Sequence, residues 1–206
     1  MYYTSIKGTK HLLSKCTIKM ALKIVIDGNI ASGKTTQLNL LEQKGFKVKR
    51  EPIEEWPLEL YYSDPARWGL SFQLTVLKSH SQLVDGEGPC IYERYPGSGT
   101  HVFWPLMNMS EMEDSVYQHA YKMQGWEPDL FIWLETTPEQ CYKNIETRHQ
   151  SGDKSVSYDY IEKLHENYNT MFEKLVCKKF KVNGNRKIHE VHEEIIGIID
   201  SRKMLN

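Results

Sequence analysis

The segment Gly28–Thr35, which reads GNIASGKT, constrains the fold of this chain more than any other stretch. It matches the pattern Gly-x-x-x-x-Gly-Lys-Ser/Thr and lies between an apolar run that ends at Asp27 and a stretch typical of a helix. Loops of this kind turn backbone N–H groups and the start of the next helix toward phosphate oxygens. Lys34 adds a positive charge, and the hydroxyl of Thr35 can bind Mg²⁺. The sequence therefore predicts a site for the phosphates of a nucleoside triphosphate.

The rest of the chain alternates short runs of β-branched and aromatic residues with longer helical stretches. This order is typical of a parallel sheet covered by helices, the α/β class. The predicted strands are 22–27, 46–51, 90–94, 129–135 and 180–184, and the predicted helices are 66–84, 110–124, 138–149, 157–177 and 186–203. No linker or repeat separates a second unit, so we predict a single domain over residues 21–206.

The composition disfavours a nucleic-acid-binding protein and a membrane protein. A net charge of −1 over 206 residues gives no overall basic field, which disfavours nucleic acid as a primary partner. The four cysteines form no Cys-x-x-Cys pair, and no apolar run reaches the roughly 18 residues of a membrane span, so we expect a cytoplasmic protein without a membrane anchor. Residues 1–20 carry four lysines and no acidic residue. We interpret them as a mobile basic tail, with an organelle-targeting segment and a start at Met20 as alternatives.

Two carboxylates are candidates for a magnesium site beside the phosphate loop. Mg²⁺ at such a loop needs an acidic residue at the carboxyl end of a neighbouring strand. Glu93 ends one predicted strand and Glu135 ends another. Local physics does not decide between them.

The segment between residues 51 and 103 has the groups that a small kinase needs around an acceptor. Glu51 precedes Pro52, which ends the strand and lets the carboxylate project over the ligand-binding edge of the sheet. Gln73 has an amide that can pair with the edge of a nucleobase. The same segment is rich in aromatic residues, namely Trp56, Tyr62, Trp68, Phe72 and Phe103. Each could be a core residue by itself, and only the combination next to a phosphate loop favours an acceptor pocket.

Together, the motifs GNIASGKTT, EPIEEW, YYSDPARWGLSFQ, YERYPGSGTHVF and DLFIWLETTPEQCY resemble the deoxyribonucleoside kinase family over roughly residues 22–175. The resemblance implies a three-layer P-loop kinase fold with a five-stranded parallel sheet, a short lid and a homodimer. It also implies transfer of the γ-phosphoryl group of ATP, with Mg²⁺, to the 5′-hydroxyl of a deoxynucleoside.

The resemblance assigns expected roles to individual residues. Glu51 would be the general base, Arg94 would bridge Glu51 and the transferred phosphoryl group, and Lys34 would assist transfer. Thr35 and Glu93 would hold the metal, so the resemblance selects Glu93 rather than Glu135 as the metal carboxylate. The donor phosphates would meet Gly28, Asn29, Ala31, Ser32, Gly33, Lys34, Thr35, Thr36 and Arg148. The acceptor would meet Glu51, Trp56, Tyr62, Phe72, Gln73, Arg94, Gly99, Phe103 and Asp153.

The chain departs from the family pattern at several positions. Tyr95 replaces a usual serine, and Asp153 stands where relatives commonly have Glu. The lid stretch around Arg148 is poor in arginine, so we expect modest turnover because fewer cations stabilise the phosphoryl charge. Gly99 occupies the position at which cytidine-preferring relatives place a carboxylate. The open position favours thymidine or pyrimidine deoxynucleosides generally.

Two other functions compete with this interpretation. Arg50-Glu51-Pro52 and Arg94-Tyr95 also resemble thymidylate kinases, which phosphorylate dTMP. A module that binds nucleotide with little or no turnover is a second alternative, suggested by the arginine-poor lid. A regulatory GTPase is disfavoured, because the sequence has no Asn-Lys-x-Asp element for guanine.

Overall fold

A computed structural model describes residues 22–84, 88–148 and 156–203. It contains a five-stranded parallel sheet of order β2-β3-β1-β4-β5, which confirms the predicted α/β fold. The strands are β1 (Lys23–Asp27), β2 (Val48–Lys49), β3 (Cys90–Glu93), β4 (Leu130–Glu135) and β5 (Lys178–Asn183). The helices are α1 (Lys34–Gln43), α2 (Leu58–Ser63), α3 (Pro65–Gln82), α4 (Pro96–Ser98), α5 (Glu111–Gln124), α6 (Pro138–Arg148), α7 (Tyr158–Lys174) and α8 (Ile188–Lys203).

The centre of the sheet is buried on both faces because β1, β3 and β4 are apolar at nearly every position rather than at alternate ones. On β1, Val25 packs into a cluster with residues of α6 and α7, whereas Ile24 and Ile26 pack against α1 and α8. Successive side chains of a strand point to opposite faces, so one apolar run serves both helical layers. This gives the three-layer arrangement.

The order of the strands determines where the ligand-binding crevice lies. The chain leaves β1 for the edge strand β2, and it leaves β3 for β4 on the other side of β1. Ligands of open α/β sheets bind at the carboxyl ends of the strands where the connections diverge in this way. Here that point is the end of β1 and β3, where the phosphate loop and Glu93 lie.

Several boundaries differ from the sequence prediction. The second strand covers only Val48–Lys49, so Glu51 lies in the segment after the strand rather than at its end. The helix predicted over 157–177 ends at Lys174, and β5 begins earlier than expected, at Lys178. The short helix α2 and the turns of helix between Pro96 and Leu106 were not predicted, since neither has a clear apolar period. The expected tail, residues 1–20, lies outside the described residues.

Candidate active site

One large cavity, about 1370 Å³, opens at the carboxyl end of the sheet between the phosphate loop and the aromatic segment. Most of the residues predicted for the site line it. On the donor side these are Ala31, Ser32, Gly33, Lys34, Thr35, Thr36, Glu93 and Arg148, and on the acceptor side they are Glu51, Trp56, Tyr62, Phe72, Gln73, Arg94, Gly99 and Phe103. Gly28 and Asn29, at the start of the loop, and Trp68 are not among the lining residues. Asp153 lies outside the described residues, as does the part of the predicted lid that follows Arg148.

The phosphate loop has little room for other residues. A Cβ atom at Gly28 would stand 2.6 Å from the carbonyl oxygen of Leu134, and Gly33 has a left-handed φ of 98°. The Asn29 side chain faces away from the cavity and donates to the Ile161 carbonyl over 2.8 Å, which ties the loop to α7. The loop is therefore held in place by its close approach to Leu134 and by its hydrogen bond to α7.

Lys34 is buried inside the loop that it was predicted to serve. Its Nζ atom donates to the carbonyl oxygens of Gly28 (2.9 Å) and Asn29 (2.8 Å). Burial, and next the charge of Arg94, lower the pKa of Lys34 to about 8. Phosphate oxygens would offset both effects, which suits a cation that meets the donor.

Glu51 and Arg94 form a buried ion pair where the donor and acceptor parts of the cavity meet. Arg94 Nη1 donates to Glu51 Oε2 over 2.5 Å, and the two side chains are 11% and 3% exposed. Burial alone would raise the pKa of Glu51, but the charge of Arg94 and then the contact with His80 lower it to about 2. The carboxylate therefore stays ionised and can accept a proton from a hydroxyl group only once that group begins to react.

Arg94 owes its direction to an unusual backbone conformation. It follows β3 directly and has a φ of 58°, a left-handed value that is uncommon outside glycine and recurs at functional sites. Its guanidinium group lies 3.4 Å from Asp27 and 5.1 Å from the centre of the Phe103 ring. Asp27 is itself fixed by Tyr168 (2.8 Å). This network at the end of β1 was not predicted, since a single Asp after a strand carries no specific signal.

The two carboxylates proposed for metal binding are now distinguishable by position. Glu93 lines the cavity, and burial and the charge of Glu51 raise its pKa. Glu135 is not a lining residue and lies 3.5 Å from Lys181. Among the described residues, no three His, Cys, Asp or Glu side chains cluster as metal ligands. A magnesium site at a phosphate loop does not require such a cluster, because Mg²⁺ keeps waters and takes substrate phosphates.

Aromatic rings enclose the acceptor side. Trp56 packs edge-on against Phe72 with ring centres 6.1 Å apart, and Tyr61 stacks on Phe72 at 4.5 Å. Trp56 is held by a hydrogen bond from Nε1 to the hydroxyl of Ser79 (3.0 Å). Sequence reasoning missed Tyr61, which also lines the cavity, because Tyr62 beside it carried the family match.

Gln73 and Gly99 face each other across the far end of this pocket. The Oε1 atom of Gln73 is buried and has no hydrogen-bond partner among the described residues. A Cβ atom at Gly99 would stand 3.3 Å from it. The amide oxygen is therefore free to pair with a ligand, and glycine at position 99 leaves it uncrowded.

The sequence is similar to known nucleoside kinases. A profile of the deoxynucleoside kinase family matches residues 24–204. A fowlpox virus protein named "Probable deoxycytidine kinase" is 29% identical over 177 residues, 78% of this chain and 75% of that protein. The thymidine kinase of Ictalurid herpesvirus 1 is 27% identical over 199 residues, 88% of this chain and 87% of that protein.

The fold is similar to that of a deoxyadenosine kinase from M. mycoides. The TM-score is 0.79 at 23% identity, and the match covers 87% of this chain and 99% of that chain. Within the described residues, no helix is both long enough and apolar enough to cross a membrane. The profile match, the relatives and the fold agree, and this chain belongs to the deoxynucleoside kinase family, enzymes that phosphorylate deoxynucleosides with ATP as donor.

Proposed function

We propose that this kinase transfers the γ-phosphoryl group of Mg·ATP to the 5′-hydroxyl of thymidine or of pyrimidine deoxynucleosides generally. The observation that carries the proposal is the buried pair of Glu51 and Arg94, at the junction of a phosphate loop and an aromatic pocket. Glu51 would accept the proton of the 5′-hydroxyl, and Arg94 would stabilise the charge on the phosphoryl group. A module that only binds nucleotide has no use for a base at the acceptor.

The donor side would bind phosphates through the loop and its lysine. Backbone N–H groups of Gly28–Thr36 at the start of α1 would meet the phosphate oxygens, with Lys34 as the cation. Thr35 and Glu93 offer the oxygen ligands that Mg²⁺ takes, and a dication would offset the raised pKa of Glu93. Such an ion would neutralise charge on the transferred group. Arg148, at the end of α6, would approach the donor from the lid side.

Three features support a pyrimidine acceptor. The rings of Trp56, Phe72 and Phe103 line the acceptor side of the cavity, and the buried amide oxygen of Gln73 lies beside them. Gly99 brings no carboxylate that would favour the exocyclic amine of cytosine. Tyr62, on α2, and Asp153 would hold the 3′-hydroxyl.

The position of Arg50 disfavours the thymidylate kinase alternative. In that interpretation Arg50 would bind the phosphate of dTMP. Instead its guanidinium group donates to Glu42 (3.0 Å) and Asn39 (2.8 Å) on α1. Arg50 lines the cavity, but a dTMP phosphate would have to compete with these contacts for its guanidinium group.

We further propose that residues 21–206 form one domain and that the enzyme is a cytoplasmic homodimer. The exposed apolar side chains of Met112, Val116 and Met123 lie on one side of α5 and support a helical interface between two copies. Cys141 and Cys177 are free thiols, which suits a reducing compartment.

The proposal is tested by one panel of assays. Phosphoryl transfer from Mg·ATP is measured with thymidine, deoxycytidine, both purine deoxynucleosides and dTMP, for the wild type and Glu51→Gln. We expect the highest kcat/KM with thymidine and a loss of about 100-fold or more in kcat for Glu51→Gln, with the KM for ATP nearly unchanged. A higher kcat/KM for deoxyguanosine or deoxyadenosine would refute the pyrimidine preference. Activity with dTMP alone would restore the nucleotide kinase alternative.

A further inference from the structure

His80, on the last turn of α3, is the most unusual polar residue of the cavity wall. Its side chain is 1% exposed, and within the described parts of the chain neither Nδ1 nor Nε2 makes a hydrogen bond. A buried polar atom without a partner destabilises the folded state, so native proteins rarely keep one without a use. The family match assigned no role to this residue, and the sequence alone offered no reason to select it.

The polar group nearest to His80 is the carboxylate of Glu51. His80 Nε2 lies 3.5 Å from Glu51 Oε1, and both side chains are almost fully buried. This separation is long for a hydrogen bond. Contacts of catalytic groups are often long in the free enzyme and shorten when the reacting complex forms.

The contacts of Arg94 and His80 fall on different oxygens of the same carboxylate. Arg94 binds Oε2 through Nη1 alone, and His80 approaches Oε1. The last torsion of a glutamate side chain is broad, so one contact leaves the carboxylate plane free to turn. A second contact on the other oxygen sets that plane and therefore the direction of the lone pairs offered to the acceptor hydroxyl.

We propose that His80 is a positioning residue, which donates Nε2–H to Glu51 Oε1 and fixes the orientation of the catalytic base. Helix α3 makes this arrangement rigid. Gln73 and His80 are seven residues apart and lie on the same helical face, and the backbone carbonyl of His80 accepts a hydrogen bond from Trp126 Nε1 (3.1 Å). The same helix then orients both the nucleobase and the proton acceptor. The inference rests on the proposed role of Glu51.

Two substitutions separate the hydrogen bond from the volume of the ring. His80→Leu fills the space without a donor, whereas His80→Gln can place an amide N–H near the position of Nε2. We expect His80→Leu to lower kcat with thymidine by about tenfold, with the KM for thymidine changed less than about threefold, and His80→Gln to recover most of the rate. If His80 acted only by packing against Trp56, whose ring centre is 5.9 Å away, the opposite result would be expected: His80→Leu would raise the KM for thymidine and change kcat little.

A double-mutant cycle tests whether His80 acts through Glu51. In a Glu51→Gln background, His80→Leu should lower the residual rate by less than about twofold, since the group that it orients is gone. His192→Leu is a matched control, because His192 is also a buried histidine, 7% exposed, but contacts Gln37 outside the acceptor pocket. We expect this control to lower stability without changing kcat by more than about twofold.

Different results would contradict the positioning role of His80 and the proposed function of the enzyme. An equal tenfold loss from His80→Leu in both backgrounds, or no recovery with His80→Gln, would overturn the positioning role. An unchanged kcat in His80→Leu, with Glu51→Gln still inactive, would overturn it while leaving the proposed function intact. If Glu51→Gln itself kept full activity, the proposed function would fail first.

Discussion

Replacing Arg94 by methionine should destabilise the protein strongly at neutral pH. The substitution keeps much of the side-chain volume but leaves the Glu51 carboxylate, 3% exposed, without its cation. Removing one partner of a buried ion pair typically costs about 3–5 kcal/mol. Asp27, which also lies near Arg94, loses less, because Tyr168 and Ser98 still donate to it. For a chain of this size, about 3 kcal/mol corresponds to a fall in Tm of roughly 6–12 °C.

The pKa of Glu51 determines how the stability difference between wild type and Arg94→Met changes with pH. In the wild type the pKa of Glu51 is lowered to about 2, because the charge of Arg94 and the contact with His80 outweigh burial. A lowered pKa contributes stability above the unfolded-state value, and that contribution is lost as pH falls toward 2. Without Arg94, burial raises the pKa instead. The difference in stability between wild type and Arg94→Met should therefore be large at pH 7 and smaller at pH 4.

Urea unfolding at pH 7 and pH 4 measures the effect. Adding Glu51→Gln to Arg94→Met should recover most of the lost stability, because glutamine carries no charge, yet it should restore no activity. The exposed pair of Lys163 and Asp159 is the control, and Lys163→Met should leave the unfolding midpoint unchanged. An Arg94→Met variant as stable as the wild type at pH 7, or one that the second substitution destabilises further, would refute the reasoning.

Three further predictions follow from the cavity walls and the core. Gly28→Ala should lower the free energy of unfolding by on the order of 2 kcal/mol and abolish ATP binding in calorimetry, since its Cβ would stand 2.6 Å from the Leu134 carbonyl; normal ATP affinity would contradict this. Gly99→Ala should raise the KM for thymidine by about fivefold without changing that for ATP, because the new methyl group crowds the Gln73 amide at 3.3 Å; equal changes in both KM values would count against it. Burial raises the pKa of Cys141 to about 12, so mass spectrometry should find this thiol unmodified by iodoacetamide at pH 8 until the protein unfolds, and rapid labelling of the native protein would contradict the packing.

Local sequence patterns determined the layered sheet and the phosphate loop. Their physics is short-range: an apolar run followed by Gly28–Thr35 can hardly form anything but a strand, a phosphate loop and a helix. The helix predicted from residue 110 likewise begins at Glu111, after a capping box in which the Ser110 N–H donates to the Glu113 carboxylate over 2.8 Å. Segments without an apolar period, such as α2, were missed because only their tertiary contacts make them helical.

The chemistry of the site was decided by the tertiary structure. The choice between Glu93 and Glu135 could not be made locally, because both end apolar strands, and it depends on which of the two side chains lines the cavity. Arg50 lies next to Glu51 in the sequence, yet it turns to α1 while Arg94, 43 residues away from Glu51, makes the buried pair. His80 had no signal at all in the sequence. Its importance comes from burial and from a carboxylate 29 residues earlier, since α3 packs over the end of the sheet and brings the two together.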